Sequence, residues 1–446
     1  MLGEQEYDPP KAHKALALST LAFTVCFAVW TIFSVIGVKI KQDLGLSDTE
    51  FGLLVATPVL TGSISRIFLG MWTERFGGRL VFTILMLATS VAVFLLSTVT
   101  TYGLFLVAAL GIGLAGGSFI VGIAYTSEWY DRKHQGTALG IFGAGNVGAA
   151  VTNFGAPFLV VALGWEMTAQ VYAVVLAAMA VVFWFMTEND PRLQRRAAEG
   201  SEPMPVKEQL APLKNLQVWR FSLYYFFVFG AFVALASWLP NYYVSVYDLS
   251  LEQAGMLAAM YALPASVFRA LGGWMSDRIG ARAVMYWTYG VSLLCLFVIS
   301  YPQTRYLIDG IDGTIEFSFG VPLTLFVILT IVLGFVMSLG KAAVYKHIPV
   351  YYPDHVGSVG GLVGMIGGLG GFFLPIMFGG LNDLLGVWTS CFMLLFLLVL
   401  VSMLWMHGAI VRMERRRYPE RGEVQSARDL PEIQLDYGNE GSTAKN

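Results

Sequence analysis

The chain has 446 residues, 56 % of them hydrophobic and only 13 % charged, with a mean hydropathy of +0.64 and a formal net charge of −2. Soluble domains carry about 25 % charged residues, so a water-facing globular surface of this size is excluded and a membrane protein is expected. The near-neutral balance gives no field to recruit nucleic acid. Cys26, Cys295 and Cys391 sit in apolar runs without metal-ligand or CxxC spacing, so neither disulfides nor a metal site are expected.

Taken in chain order, residues 1–14 are polar and read as a cytoplasmic N-terminus. The apolar run that follows is too long for a signal-peptide core and reads as a retained membrane helix. Twelve apolar stretches then recur, at about 15–38, 50–73, 80–99, 103–127, 137–162, 168–187, 217–244, 252–274, 284–301, 319–345, 358–381 and 387–411. Each is near the roughly 20 residues that cross a bilayer. A charged, proline-containing segment at 188–216 separates six spans (15–187) from six more (217–411), and a polar tail occupies 412–446. The fold class expected is an all-α membrane protein of two pseudo-symmetric six-helix bundles.

Lys and Arg cluster on the side of the two termini. Only Lys39, Lys41 and Arg305 fall on the other side, and only Arg66, Arg269 and Lys341 within spans. That bias places both termini in the cytoplasm of a multi-pass protein of the inner membrane.

The halves match at a constant offset of 203 residues (269 − 66). Leu46-Ser47-x-x-Glu50-x-Gly52 corresponds to Leu249-Ser250-x-x-Gln253-x-Gly255, each with the Ser-x-x-Glu/Gln spacing of a helix capping box. Arg66-x-x-x-Gly70-x-x-Thr73-Glu74-Arg75-x-Gly77-x-Arg79 corresponds to Arg269-x-x-x-Gly273-x-x-Ser276-Asp277-Arg278-x-Gly280-x-Arg282. The Glu74/Arg75/Arg79 and Asp277/Arg278/Arg282 clusters fall at cytoplasmic helix ends, where local ion pairing, topology anchoring or gating is expected. Arg66 lies eight residues before Glu74, roughly 12 Å into the membrane at 1.5 Å per residue. No carboxylate falls in the middle third of any span, so Arg66 and Arg269 lack an obvious protein counter-ion. Buried cations of this kind point to a mobile anion, and guanidinium forks suit planar or tetrahedral oxyanions. One arginine from each half suits a single anion at the repeat interface.

The fifth span carries Gly136-x-x-x-Gly140-x-x-Gly143-Ala144-Gly145-Asn146-Val147-Gly148. The eleventh carries Gly357-x-x-Gly360-Gly361-x-x-Gly364-x-x-Gly367-Gly368-x-Gly370-Gly371-Phe372, with Pro375 beyond it. This spacing allows close helix packing, with Gly143, Gly145, Gly148, Gly364, Gly367 and Gly370 as packing or gating positions and Asn146 as a polar donor to an oxyanion. These two stretches, with Arg66 and Arg269 and the Ala56-Thr57-Pro58 context of the first, resemble the nitrate/nitrite porter family of the major facilitator superfamily. The resemblance implies alternating-access transport of nitrate or nitrite, with Phe119 stacking on the planar anion. It also implies a hydrogen bond from Tyr225, or from Tyr224 if the register shifts by one. Gly364 stands where some members have serine.

Lys341 is expected either to snorkel from a tilted helix or to line the cavity and help set coupling; Glu128 is the other coupling candidate, at a cytoplasmic helix end. Proton symport and nitrate/nitrite exchange both stay open. Phosphate or a small organic anion is the alternative cargo, and a transporter-like sensor the alternative class. No enzyme constellation and no bound cofactor are expected. The partners expected are the anion, protons, and the lipid around a monomer.

Overall fold

The computed structural model describes residues 9–130, 135–189, 191, 211–352 and 356–417. Most of the 188–216 segment and the tail beyond 417 lie outside the described residues. Helices long and apolar enough to cross a membrane are α1 (Pro9–Leu44), α2 (Asp48–Phe76), α3 (Gly78–Leu96), α4 (Tyr102–Ser127) and a 50-residue helix, Thr137–Met186. At 1.5 Å per residue the last is about 75 Å long, more than twice a bilayer core. Gly164, at φ 85° and ψ 164°, breaks it into α5 (137–163) and α6 (165–186). Then follow α7 (Leu216–Tyr247) and α8, a pair of helices, Leu251–Val267 and Arg269–Ile279, bent by 40° at Phe268. The remaining spans are α9 (Ala281–Ile299), α10 (Leu323–Ile348), α11 (Val359–Leu385) and α12 (Ser390–Met413). Counted this way the described residues form twelve spans.

The internal repeat extends to backbone geometry. Ser47 and Ser250 each accept from the backbone N–H three residues on, while Glu50 and Gln253 reach back to the cap N–H. Gly77 and Gly280, at the α2–α3 and α8–α9 corners, share φ 85°. Few residues other than glycine adopt that conformation.

The charged corners bind farther than local pairing predicts. Arg79 donates through Nε and Nη2 to the Trp184 carbonyl of α6, at 3.1 and 2.6 Å, with its guanidinium over the Trp184 ring. Arg282 donates to the Tyr351 hydroxyl at 2.8 Å, and Asp277 pairs with Lys346 of α10 at 2.5 Å. The corners therefore tie α3 to α6, and α8 and α9 to the end of α10.

Residues 304–319 also depart from expectation. They form a hairpin, β1 (Thr304–Gly310) and β2 (Gly313–Phe319), with Tyr306 opposite Phe317 and Ile308 opposite Ile315. Phe319, expected at the start of the tenth span, pairs with Thr304, and α10 begins after Pro322. Alternating apolar and polar residues on either side of a Gly-x-x-Gly turn favour strands over a helix start.

At the end of the molecule bearing this hairpin, the halves close on each other. The Gly52 α-carbon lies against the Pro375 carbonyl and Gly379 against that of Asp48, so α2 and α11 meet backbone to backbone. Asp383 of α11 accepts from the N–H groups of Asp48 and Thr49, at 3.2 and 2.8 Å, capping α2 from the opposite half. Lys41 pairs with Asp48. Across the second seam, Asn153 of α5 donates to the Ala236 carbonyl of α7 at 3.0 Å. Toward the other end, a methyl group built on Gly140 or Gly361 meets nothing within 4 Å. The hairpin end is the sealed one.

Candidate anion-binding site

Helix irregularities gather at the depth of the two arginines. A 3-10 turn at 114–117 precedes Phe119 in α4, and another at 144–147 holds Asn146 in α5. A π turn at 226–231 follows Tyr225 in α7, the α8 bend falls at Phe268 beside Arg269, and α11 breaks at Leu369. Such interruptions loosen the backbone ladder and often mark functional sites.

Arg66 and Arg269 are 4 % and 7 % exposed. Their guanidinium carbons lie 5.6 and 5.5 Å from the centroid of one ring, Phe119, and so are at most about 11 Å apart. The negative face of a ring attracts cations, and Phe119 holds both without neutralising either. Arg66 also lies 5.5 Å from the Phe229 ring, and Arg269 the same distance from Tyr345. Arg66 Nη1 donates to the Gly364 carbonyl at 2.6 Å, across the two halves. Among the described residues, no carboxylate pairs with either arginine.

Several buried polar atoms here have no protein partner: Asn146 Oδ1 and Nδ2, Arg66 Nε, Arg269 Nη1 and Ser63 Oγ. The large majority of buried side-chain polar atoms are ordinarily bonded, so these unpartnered ones suit a polar occupant. A second internal offset locates Asn146. Gly145 packs on the Thr20–Thr24 turn as Gly367 packs on Tyr225, and Gly148 on Thr24–Ala28 as Gly370 on Phe226–Gly230. Both pairs differ by 222 residues (367 − 145, 370 − 148), which makes Asn146 the counterpart of Gly368. A methyl on Gly368 falls 3.3 Å from Arg66 Nη1, and one on Gly143 falls 3.2 Å from Arg269 Nε and Nη1. Asn146 therefore stands toward Arg269 as Gly368 stands toward Arg66. Gly364 lies against Arg66 and the Tyr345 hydroxyl.

Tyr225 stacks on Phe229 at 5.0 Å and meets Tyr345 edge-on at 5.0 Å, which brings it into this cluster. Tyr224 instead faces Tyr289 of α9. Lys341 does not snorkel: it is fully buried, donates to the Ala265 carbonyl at 2.9 Å, and lies 3.2 Å from the Phe232 centroid. Glu128 is placed apart from the site, at the α4 terminus nine residues beyond Phe119, roughly 13 Å along the helix.

Three neighbours were not anticipated from sequence: Ser63, Phe229 and Tyr345. Each lies one helical turn from a residue that was, respectively Arg66, Tyr225 and Lys341. The i, i+3 and i, i+4 neighbours of an in-span cation share its face, and that spacing was the available signal.

The Major Facilitator Superfamily profile matches residues 18–310 and 252–436. A probable nitrate/nitrite antiporter, NarK1, of Thermus thermophilus is 45 % identical over 423 residues, covering 92 % of this chain and 94 % of its own. A nitrite extrusion protein of Bacillus subtilis (strain 168) is 30 % identical over 401 residues, covering 89 % and 95 %. Among solved structures, a bacterial homolog of the human lysosomal transporter Spinster superposes with a TM-score of 0.67 at 16 % identity, covering 90 % and 97 % of the two chains. The human organic anion transporter MFSD10 does so with 0.67 at 15 %, covering 90 % and 100 %. These last two share the fold alone. With two repeated six-span halves, paired buried arginines and relatives matched over nearly its whole length, the chain belongs to the nitrate/nitrite porter family of the major facilitator superfamily.

Proposed function

We propose that the protein carries nitrate and nitrite across the inner membrane by alternating access, with one anion held between Arg66 and Arg269. The observation carrying this reading is the pair of buried guanidiniums flanking one aromatic ring with no carboxylate partner. Phe119 packs against the flat face of the anion, while Asn146, Tyr225 and the free arginine N–H groups donate to its oxygens. Its two bundles, 15–187 and 217–411, rock about this point; both termini are cytoplasmic, the hairpin end faces outward, and the monomer is the working unit.

Electrostatics favours this cycle. At an effective dielectric of about 20, two unit charges no more than about 11 Å apart repel by roughly 1.5 kcal/mol or more, and a monovalent anion about 5.5 Å from each gains roughly 3 kcal/mol from each. Loading therefore turns a repulsive pair into an attractive triplet and lowers the cost of closing over it. A compact, planar, singly charged oxyanion satisfies the site, stacking on Phe119 while its oxygens meet the two guanidiniums.

Purified protein in proteoliposomes preloaded with nitrite is expected to take up external nitrate, and Arg66→Ala and Arg269→Ala are each expected to abolish uptake. Well-folded wild-type protein that moves neither anion overturns the reading.

A further inference from the structure

The two arginines and their neighbours account for anion binding but leave a third cation unexplained. Lys341 lies one turn before Tyr345 on α10, with its amine spent on Ala265, one turn before Arg269 on α8. It therefore sits one layer behind the anion, toward the sealed end, rather than in contact with it. The Phe229 ring joins the layers, 5.5 Å from the Arg66 guanidinium and 5.8 Å from Lys341 Nζ.

Among the described residues, the groups around Lys341 are neutral or cationic. From α7 come Phe229 and Phe232. From α8 come Arg269, the Ala265 carbonyl and Tyr261, whose hydroxyl points to Met337 Sδ. From α9 comes Thr288, against Gly340. On α10 itself the titratable groups are Tyr345 and, farther along, Lys346, which pairs with Asp277, and His347. Among the described residues, no carboxylate pairs with Lys341. A guanidinium keeps its proton under all these conditions, but a buried lysine is a group that can release one.

We propose that Lys341 carries the proton of an anion/proton symport; this rests on the anion site proposed above. As the anion enters from outside, the neutral Lys341 amine takes a proton from external water, forming its third N–H bond. When the anion leaves to the cytoplasm, that N–H bond breaks and the proton follows into cytoplasmic water. The charge count is what makes the cycle work. Empty, two guanidiniums and a neutral amine total +2; loaded, two guanidiniums, an ammonium and a monovalent anion again total +2. Both forms cross between states carrying the same net buried charge, so the return of the empty carrier buries no more net charge than the loaded step. In this outward-sealed state Lys341 is fully buried, away from external water.

The test uses proteoliposomes of full-length protein with an internal pH dye, and the variants Lys341→Arg, always charged, and Lys341→Gln, never charged. Wild type is expected to acidify the interior as nitrate enters, and to accumulate nitrate about tenfold per unit of inside-alkaline pH gradient, the equivalent of one proton per anion. Both variants are expected to keep nitrate/nitrite counterflow while accumulation falls to the gradient-free level and the dye signal disappears. Gradient-driven accumulation retained in either variant overturns the proposal, as does wild-type nitrate entry without protons. Loss of counterflow in both variants also overturns it, because a group that only carries the proton is dispensable for exchange. Absence of counterflow in wild type instead sinks the anion-site reading itself.

Discussion

Gly379→Ala is expected to unlock the hairpin end. A methyl group there lands on the Asp48 carbonyl and 2.7 Å from the Thr49 nitrogen. Both obstacles are backbone, so no rotamer change relieves the overlap, and α2 and α11 must part by about 1 Å to restore ordinary contact. Parting them also pulls Asp383 from the two N–H groups it caps. Overpacking of this kind costs roughly 1–3 kcal/mol, which shifts a two-state equilibrium by about 5- to 150-fold away from the sealed form. The adjacent Gly380→Ala is the control, since its methyl meets only Thr49 Oγ1, at 3.9 Å. Val59 packs on Gly371 inside the seal and is 2 % exposed. A cysteine placed there reports opening through its labelling rate with a membrane-impermeant maleimide. The native cysteines are buried and contribute little background. Labelling should rise within that range for Gly379→Ala and stay at the parent rate for Gly380→Ala. Equal rates in the two variants would refute the idea that this contact is the outer gate.

Asn146→Ala removes two polar atoms that bond to nothing in the protein, so its melting temperature should hold or rise. Its KM for nitrate should rise about 10-fold or more, the worth of one hydrogen bond to a charged group; an unchanged KM in uptake assays counts against its donor role. Gly280→Ala should cost about 1–3 kcal/mol through its φ of 85° alone, because its methyl meets nothing within 4 Å. Gly273→Ala, mid-helix and equally open, should stabilise by about 0.5–1 kcal/mol; melting curves of the pair that fail to diverge remove the strain argument. Asp383→Asn keeps the shape but weakens the cap across α2, and should raise Val59→Cys labelling by less than Gly379→Ala does. A larger rise would mean that the cap, and not the backbone contact, holds the seal.

Much of this architecture is legible in one sequence because a membrane restricts the options. The twelve spans follow from length and apolarity, and the repeat from two gapless blocks beginning at Leu46 and Leu249. The repeat in turn marks Arg66 and Arg269 as equivalent positions. Legibility fails where helical phase decides contact. Tyr224 and Tyr225 are adjacent in sequence, yet one helical step turns Tyr224 to Tyr289 and leaves only Tyr225 in the cluster. Lys341 is alike in sequence whether it snorkels or is sealed; the Phe268 bend and the Ala265 carbonyl decide that. Hydropathy leaves 302–318 between spans without revealing the hairpin, and misplaces only Phe319, which belongs to β2 rather than to the tenth span. The corner arginines find distant partners, Trp184 and Tyr351, which no local charge pattern reveals.

The bond from Arg66 to the Gly364 carbonyl gives the protein an internal competitor. One guanidinium already holds a neutral oxygen supplied by the opposite half, so arriving cargo must do better than a peptide group. A solute with one oxygen merely swaps acceptors and gains little. An anion that engages both guanidiniums at once gains a second partner for the loss of the first. Discrimination then operates by comparison with a built-in standard rather than by the shape of a rigid hole. The same oxygen waits on the far side of the moving interface to take the arginine back once the cargo has gone.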